Sequence, residues 1–453
     1  MKYDLAIIGG GPAGYVAAER AGEAGMRVIL FEKRELGGVC LNEGCIPTKT
    51  MLYSAKVYET SLTSSKYGVN NENTSFDYST IMKRKNKVVK KLVGGVGAKM
   101  KHAKVEVIKE AAVLQGRDSE GIKIASGSES WLASNVLIST GSEAFVPPIP
   151  GLDLAADNIM TSREILNADE LPESLTIIGG GVIGMEFASF YNSMGVKVVV
   201  IEMLEKILGE MDAELSEELQ KIFEKRGVEI HLNAKVTGVR GDKVVYEKNG
   251  KTETIASEKI LVSVGRNPNI NGIGLETLGI ETHRGGIKVD QHMATNVPNV
   301  FAAGDVTGFS LLAHTAYREA EVVINILNGK KDVMRYNAIP SVVYTNPEFS
   351  GIGHTEKTAN EKGIDFKVVK LPMAYAGRFI AENEGGVGFC KVLVGARYGE
   401  VLGVHMLGNP SGEIIYGAAM AIENEMTLDE MKEIVFPHPT VSEIFRETIF
   451  AFQ

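Results

Sequence analysis

Ile7–Glu32 reads IIGGGPAGYVAAERAGEAGMRVILFE, and Ile177–Glu202 reads IIGGGVIGMEFASFYNSMGVKVVVIE. At an offset of 170 and without a gap, 10 of the 26 positions are identical. Each copy runs from an apolar stretch through a glycine turn, a helix-like stretch and another glycine. It then enters a β-branched run that closes on glutamate. That is a strand–turn–helix–strand unit written twice. Such units imply an α/β fold with parallel sheets and helices on their faces.

In the first copy Gly9, Gly11 and Gly14 form G-x-G-x-x-G directly behind the apolar run. The first glycine makes the tight turn. The second lets backbone approach a pyrophosphate, and the third lets helix and strand pack closely. The helix N-terminus then faces the phosphates with unpaired N–H groups and its positive dipole end. Glu32 closes the second strand, where a carboxylate accepts ribose hydroxyls. Gly179, Gly181, Gly184 and Glu202 repeat the pattern. An acid at 202 favours NAD, because a 2′-phosphate would be repelled there. Two fingerprints imply two Rossmann-like domains and two dinucleotides, a flavin and a nicotinamide being one pair.

Composition narrows the class. The 453 residues include 57 acidic and 48 basic ones, a net charge of −9, which argues against a bulk nucleic-acid binder. No apolar run approaches the roughly 18 residues of a membrane span. Met1-Lys2 leads straight into a strand pattern, with no room for a signal peptide. Three cysteines make no disulfide scaffold, so a reducing, cytoplasmic setting is expected. Residues 61–75 are polar and read as a loop. Residues 81–101 place Ile81, Val88, Val89, Leu92, Val96 and Met100 along one stripe. Residues 83–104 carry nine Lys or Arg and no acid. A solvated face of an amphipathic helix is favoured over a polyanion site. Pro147, Pro148, Pro150 and Gly151 mark one boundary, Gly265–Pro268 a second, and an α+β segment follows about residue 340.

Behind the first unit stands GGVCLNEGCIPTK, Gly37–Lys49. Cys40 and Cys45 lack the two further ligands that a zinc site wants. Five residues apart on a regular helix they would point about 140° apart. A disulfide would need a distorted turn, which Gly44 permits. Buried free thiols are the bland alternative, but a cysteine pair beside a nucleotide turn reads better as redox-active. Lys49 could set a cation near a thiolate or a cofactor. Cys390, in GVGFCKVLV, reads as a core residue. Near the C-terminus, His438 in FPHPTVSE can exchange a proton with a dithiol. Glu443 can fix its tautomer, or can simply cap a helix through Thr440-x-x-Glu443.

The Gly37–Lys49 segment resembles the active-site stretch of the FAD-dependent pyridine nucleotide–disulfide oxidoreductases. The resemblance extends to both fingerprints, Thr140-Gly141, Gly265-Arg266, Ala302–Asp305 and His438-Pro439-Thr440. It implies an FAD domain in two parts (1–148 and 269–338), an NAD domain (149–268) and a C-terminal α+β dimerisation domain (339–453). Gly9, Gly11, Gly14 and Glu32 would hold the ADP half of FAD, and Asp305, after Gly304, its ribityl chain. Ala112 and Ala313 would make backbone contacts to it. Gly179, Gly181, Gly184, Glu202, Val236 and Gly265 would hold NAD.

The resemblance also assigns chemistry. Cys45 would be the flavin-side thiol and Cys40 the interchange thiol. Lys49 would lie near flavin N5, paired with Glu186, whose repeat equivalent is Val16. For Glu186 the bland alternative is a surface acid at a helix start. His438, with Glu443, would serve as base for the cysteines of the opposite subunit, which implies a homodimer with shared sites. Within the family the chain is most similar to the branch that oxidises dihydrolipoamide with NAD, for 2-oxoacid dehydrogenase or glycine-cleavage complexes. The lipoyl group would come from another protein, since no lipoyl domain precedes the first strand. A glutathione reductase would want basic residues where Glu202 stands. A mercuric reductase would carry a C-terminal cysteine pair, and single-cysteine peroxidases or oxidases lack a pair like Cys40/Cys45. An FAD-holding assembly subunit without catalysis would be expected to lose Cys40, Cys45 or His438. The sequence departs from the family at Glu43 and Thr48 and in a C-terminus that stops at Gln453, which leaves the tail's part in the dimer surface open.

Overall fold

The computed structural model describes residues 2–453, which divide into two compact units. The first comprises Met1–Thr50, Thr80–Phe145 and Gly265–Arg335. The second comprises Met51–Ser79, Val146–Val264 and Tyr336–Gln453.

In the first unit β1 (Lys2–Ile8), α1 (Pro12–Glu23) and β2 (Val28–Phe31) form the first copy of the repeat. The strands pair in parallel, with Ile7 beside Leu30. Glu129–Ile138 pairs with the other side of β1, and Val300–Ala302 lies beside it in turn. Leu5, Ala6 and Ile7 have no exposure, as expected of a strand covered on both faces. Antiparallel strands Val113–Arg117 and Ile122–Ser126 extend the sheet.

The second unit repeats the pattern with the same arithmetic. Ser174–Ile178 and Lys197–Ile201 pair in parallel, with Ile177 beside Val200. Helix Val182–Ser193 occupies the positions of α1 shifted by 170. The identity in sequence therefore continues as identity of register. The five-stranded sheet is parallel throughout. A three-stranded antiparallel sheet, Ala234–Arg240, Lys243–Lys248 and Lys251–Ala256, packs Val236, Val239, Val244 and Tyr246 against it.

The C-terminal part of this unit is an antiparallel five-stranded sheet with helices Ser411–Glu423 and Glu443–Phe450 packed on it. Cys390 lies fully buried in that core. Burial pushes its thiol up to about 12, against a hydrogen bond with Thr448. It is an inert core thiol, as its strand pattern indicated.

Two expectations need adjustment. α3 (Cys45–Leu62) runs into the stretch read as a loop, and a 3-10 turn, Ser64–Tyr67, follows. Buried Ser64 supports that turn, donating to the Ser61 carbonyl and accepting from Asn71 Nδ2 at 3.0 Å. α4 (Tyr78–His102) buries Ile81, Val96 and Met100 and exposes Lys83, Lys87, Lys90, Lys91 and Lys101. Leu92 is exposed and Lys85 is buried, so the stripe is less regular than its spacing suggests.

Lys391, only 2% exposed, lies among acids. Its Nζ is 3.2 Å from Asp212, 2.7 Å from Glu214 and 2.8 Å from Glu356. Burial alone would lower its pKa, but Glu214, Glu356 and Asp212 more than offset that and raise it. Lys391→Ala would strand a buried Asp212 without its cation. A loss of about 3–5 kcal/mol is expected, read as a lower urea midpoint. An unchanged midpoint would show the cluster to be energetically neutral.

Candidate active site

The two glycine turns are built alike. Gly9 (φ +107) and Gly179 (φ +103) adopt conformations that side chains resist. A Cβ on Gly14 would sit 1.8 Å from the Gly9 carbonyl oxygen, and one on Gly184 would sit 2.1 Å from that of Gly179. Each helix can therefore cross its strand only with glycine there. The middle glycines differ. A Cβ on Gly11 would meet its nearest atom at 3.9 Å, and one on Gly181 would meet nothing within 4 Å. Gly11 would thus reach only ordinary contact with Gly38, and Gly181 faces open space, each at the start of a helix, the kind of place where backbone can approach a pyrophosphate.

The closing glutamates stabilise these turns. Glu32 accepts from the Gly10 and Arg34 amides, each at 2.7 Å. Glu202 accepts from the Gly180 amide at 2.7 Å and the Leu204 amide at 2.8 Å. Each carboxylate oxygen keeps lone-pair capacity for a ribose hydroxyl. Ser139 and Ser263 donate to the Gly9 and Gly179 carbonyls at 2.9 and 3.0 Å. The repeat does not mark this serine pair, because Ser139 and Ser263 do not stand at its offset of 170; each follows the third strand of its unit.

Around the second predicted FAD segment, Asp305 accepts from Ser142 Oγ at 2.5 Å. Arg266 Nε donates to the same Ser142 Oγ at 2.7 Å. Burial raises the Asp305 pKa, while Ser142 and Arg266 oppose the rise. Glu319, fully buried, accepts from the Gly304 amide at 2.6 Å and fixes the turn before Asp305. Nothing in the local spelling marks Glu319, because its partner is a backbone group. Thr140 Oγ1 donates to the Asn269 carbonyl at 2.6 Å, and the Asn269 amide donates to Gly141 at 2.9 Å. Ala313 is the first residue of helix Ala313–Leu327, with its N-terminus beside this segment in sequence. Ala112 and Val236 are buried, and Gly265 has φ +129.

The cysteines lie on separate helices. α2 (Gly38–Asn42) carries Cys40, and α3 begins at Cys45. The break at Glu43–Gly44 removes the 140° divergence of a continuous helix. Both are free thiols here. They share a hydrogen bond, which with burial holds the Cys40 thiol well above the ordinary range. Lys49, one turn into α3, pulls the other way.

His438 Nδ1 lies 2.8 Å from Glu443 Oε1, and Glu443 Oε2 accepts from the Thr440 amide at 2.9 Å. The carboxylate thus holds the histidine and the Thr440 amide, one oxygen each, but the expected capping box does not form, because the helix Glu443–Phe450 starts at Glu443 itself behind Ser442, with no side-chain cap. The hydrogen bond from His438, then that from Thr440, holds the Glu443 pKa below its ordinary value. The pairing is therefore kept above the usual carboxylate range and lost only as pH falls through the lowered value. The His438 side chain is 80% exposed. Glu186 is 3% exposed and accepts from the Tyr344 amide at 3.0 Å, so it is not the surface acid of the bland alternative. Among the described residues no cluster of His, Cys, Asp and Glu could hold a metal, and no helix is long and apolar enough to cross a membrane.

Two dinucleotide turns and a dithiol define a flavin- and nicotinamide-dependent redox protein. Residues 3–320 match the pyridine nucleotide-disulphide oxidoreductases, and residues 339–449 match the dimerisation domain of the same family. The chain belongs to this family, carries its dimerisation domain and takes its cofactors, FAD and NAD. It is 38% identical to the dihydrolipoyl dehydrogenase of Geobacillus stearothermophilus, over 99% of this chain and 95% of that one. It is 39% identical to the dihydrolipoyl dehydrogenase of Chlorobaculum parvum, over 99% and 97%. Among solved structures, LpdA of Mycobacterium tuberculosis matches over the full length of both chains, with TM-score 0.91 and 25% identity. The HOCl-induced flavoprotein disulfide reductase RclA of Escherichia coli also matches over both full lengths, with TM-score 0.87 and 29% identity.

Proposed function

We propose that this protein oxidises dihydrolipoamide to lipoamide with NAD as final acceptor, as the third component of a 2-oxoacid dehydrogenase or glycine-cleavage complex. The observation that carries this reading is the Cys40–Cys45 pair, broken across two helices so that one hydrogen bond joins the thiols. In the oxidised enzyme a substrate thiolate attacks Cys40 Sγ and breaks the Cys40–Cys45 bond. The second substrate thiolate then attacks the mixed disulfide. Lipoamide leaves, and both cysteines are reduced. The partner subunit's His438, oriented by Glu443, takes the substrate's thiol proton. Bound FAD supplies electron transfer between the thiols and NAD. In this reading Lys49 is a cation that favours the thiolate form of the dithiol.

This reading includes the division into 1–148, 149–268, 269–338 and 339–453, a homodimer with shared sites, a lipoyl-bearing partner and a cytoplasmic setting. Glu202, with both oxygens already holding the second turn, supports NAD over NADP. The test is anaerobic turnover of NAD with free dihydrolipoamide, glutathione serving as competitor substrate. Activity with glutathione alone would overturn the proposal. His438→Gln is expected to lower kcat by roughly 10²–10⁴-fold, the usual worth of a general base, and Glu443→Gln by less. Equal turnover of wild type and His438→Gln at every pH would remove His438 from the mechanism.

A further inference from the structure

Helix Val182–Ser193, which follows the second glycine turn, carries a polar stripe. Glu186, Ser189 and Ser193 stand three and four residues apart, so they share one face of it. Glu186 accepts from the Tyr344 amide at 3.0 Å, and Ser189 Oγ accepts from the Asn346 amide at 3.3 Å. Ser193 Oγ donates to Glu59 Oε1 at 2.6 Å, and Glu59 Oε2 accepts from Asn346 Nδ2 at 2.6 Å. The Asn346 carbonyl accepts from Arg226 Nη1 at 2.6 Å, and Asn346 Oδ1 accepts from Asn409 Nδ2 at 2.7 Å. Amide, carbonyl and both side-chain polar atoms of Asn346 are thus each bound. At the repeat's offset the first copy has Val16, Glu19 and Glu23, whose two acids pair with Lys99 and Arg20. The strand–turn–helix–strand unit therefore folds without this stripe.

We propose that Asn346 is a positioning residue for NAD, acting through helix Val182–Ser193, which starts behind Gly181 and carries Gly184 in its first turn. The inference rests on the reading of the second glycine turn as the NAD site. The N–H groups of a helix start serve a pyrophosphate only when the helix points at it, so affinity depends on how the helix is rolled and slid on its sheet. Apolar packing holds the helix down but has no direction of its own. Hydrogen bonds do, because they weaken steeply when bent. The bonds to Glu186, Ser189 and Ser193 span two turns and fix both roll and slide. Asn346 takes part in two of these three links, directly at Ser189 and through Glu59 at Ser193. Tyr344, two residues before it, supplies the third. Glu59 is a charged acceptor, which makes its bonds the stronger ones of the set. Tyr344, Asn346 and Asn409 all lie in the part of the chain that matches the dimerisation domain. That domain thus also sets the helix of the nicotinamide turn.

The test uses purified holoenzyme of wild type, Asn346→Ala, Glu59→Ala, Glu59→Gln and the double alanine variant. For each, kcat, Tm and the KM values for NAD and dihydrolipoamide are measured. Asn346→Ala and Glu59→Ala are each expected to raise KM for NAD roughly tenfold, with kcat and KM for dihydrolipoamide within about twofold of wild type. The double variant is expected to go little further, since the two side chains form one link. Glu59→Gln is expected to stay near wild type, because glutamine can still accept from Asn346 Nδ2 and bond Ser193. A wild-type KM for NAD in folded Asn346→Ala, with or without a lower Tm, would make the segment structural only and overturn the proposal. An equal rise in both KM values would overturn it too. If Asn346→Ala does not fold, the glutamate variants decide, and equal KM for NAD in Glu59→Ala and Glu59→Gln would sink the link. The supporting reading fails separately. A wild-type KM for NAD in Gly181→Ala would remove the second turn as the NAD site, whatever Asn346 does.

Discussion

Replacing Cys45 by serine is expected to cut dihydrolipoamide-dependent NAD reduction by roughly 10⁴-fold or more, with the fold and the FAD content unchanged. A hydroxyl cannot form the disulfide, so the chain loses its only means of passing electrons through sulfur. Cys40→Ser should be as severe in turnover, because the two thiols form one redox unit and their losses do not add. Spectra separate the two. If Cys45 is the flavin-side thiol, Cys40→Ser keeps a thiolate near the flavin and shows a long-wavelength band without added reductant, whereas Cys45→Ser shows none. The shared hydrogen bond and burial hold the Cys40 thiol above its ordinary range, and Lys49 opposes them. Turnover within tenfold of wild type in either variant would end the disulfide-relay reading.

Gly14→Ala should be the most damaging single-methyl change outside the cysteines. The added Cβ would lie 1.8 Å from the Gly9 carbonyl oxygen and 2.9 Å from Ser139 Oγ, and backbone cannot yield that distance locally. α1 must move off β1, which opens the phosphate turn and loosens a strand buried from Leu5 to Ile8. Overpacking of a core costs about 1–3 kcal/mol, and a backbone clash of this depth lies at or beyond the upper end. The expected product is an apoprotein without visible absorbance and with a lower Tm. Gly181→Ala is its counterpart. There the new methyl meets nothing within 4 Å, so Tm should stay at the wild-type value while KM for NAD rises tenfold or more. A matching loss of Tm in both variants would mean that the middle glycine is structural. Wild-type NAD affinity in Gly181→Ala would mean that the open space beside it is not the dinucleotide's.

Much of this molecule is legible from 26 residues repeated at an offset of 170. The repeat predicts a strand–turn–helix–strand unit twice, and the structure realises both with helices Pro12–Glu23 and Val182–Ser193 and with Ile7 beside Leu30 and Ile177 beside Val200. Local rules suffice there: apolar runs become buried strands, and only glycine has the φ and the bare Cα that the turn requires. The cysteine segment was legible as redox-active, but its geometry was not. A helix break at Glu43–Gly44 is a choice between conformations of similar energy that packing decides. Glu443 could be read as capping residue or as partner of His438, and only the structure decides for His438, since the helix starts at Glu443 itself.

Other features have no local signature. Glu319 stabilises the Gly304 turn from 15 residues away, and Lys391 finds Asp212 across 179 residues. Tyr15 and Tyr317 are separated by 302 residues and share one hydrogen bond. By itself the sequence determined the two nucleotide turns, their strands and helices, and which residues carry sulfur, acid and base, because each depends on neighbours within a few turns of chain. The buried charge cluster, the support of the Asp305 turn and the phenol pair were decided by tertiary structure alone. Burial turns a polar group into a costly one unless a partner is supplied, and the partner is whatever distant segment the packing brings within hydrogen-bonding distance.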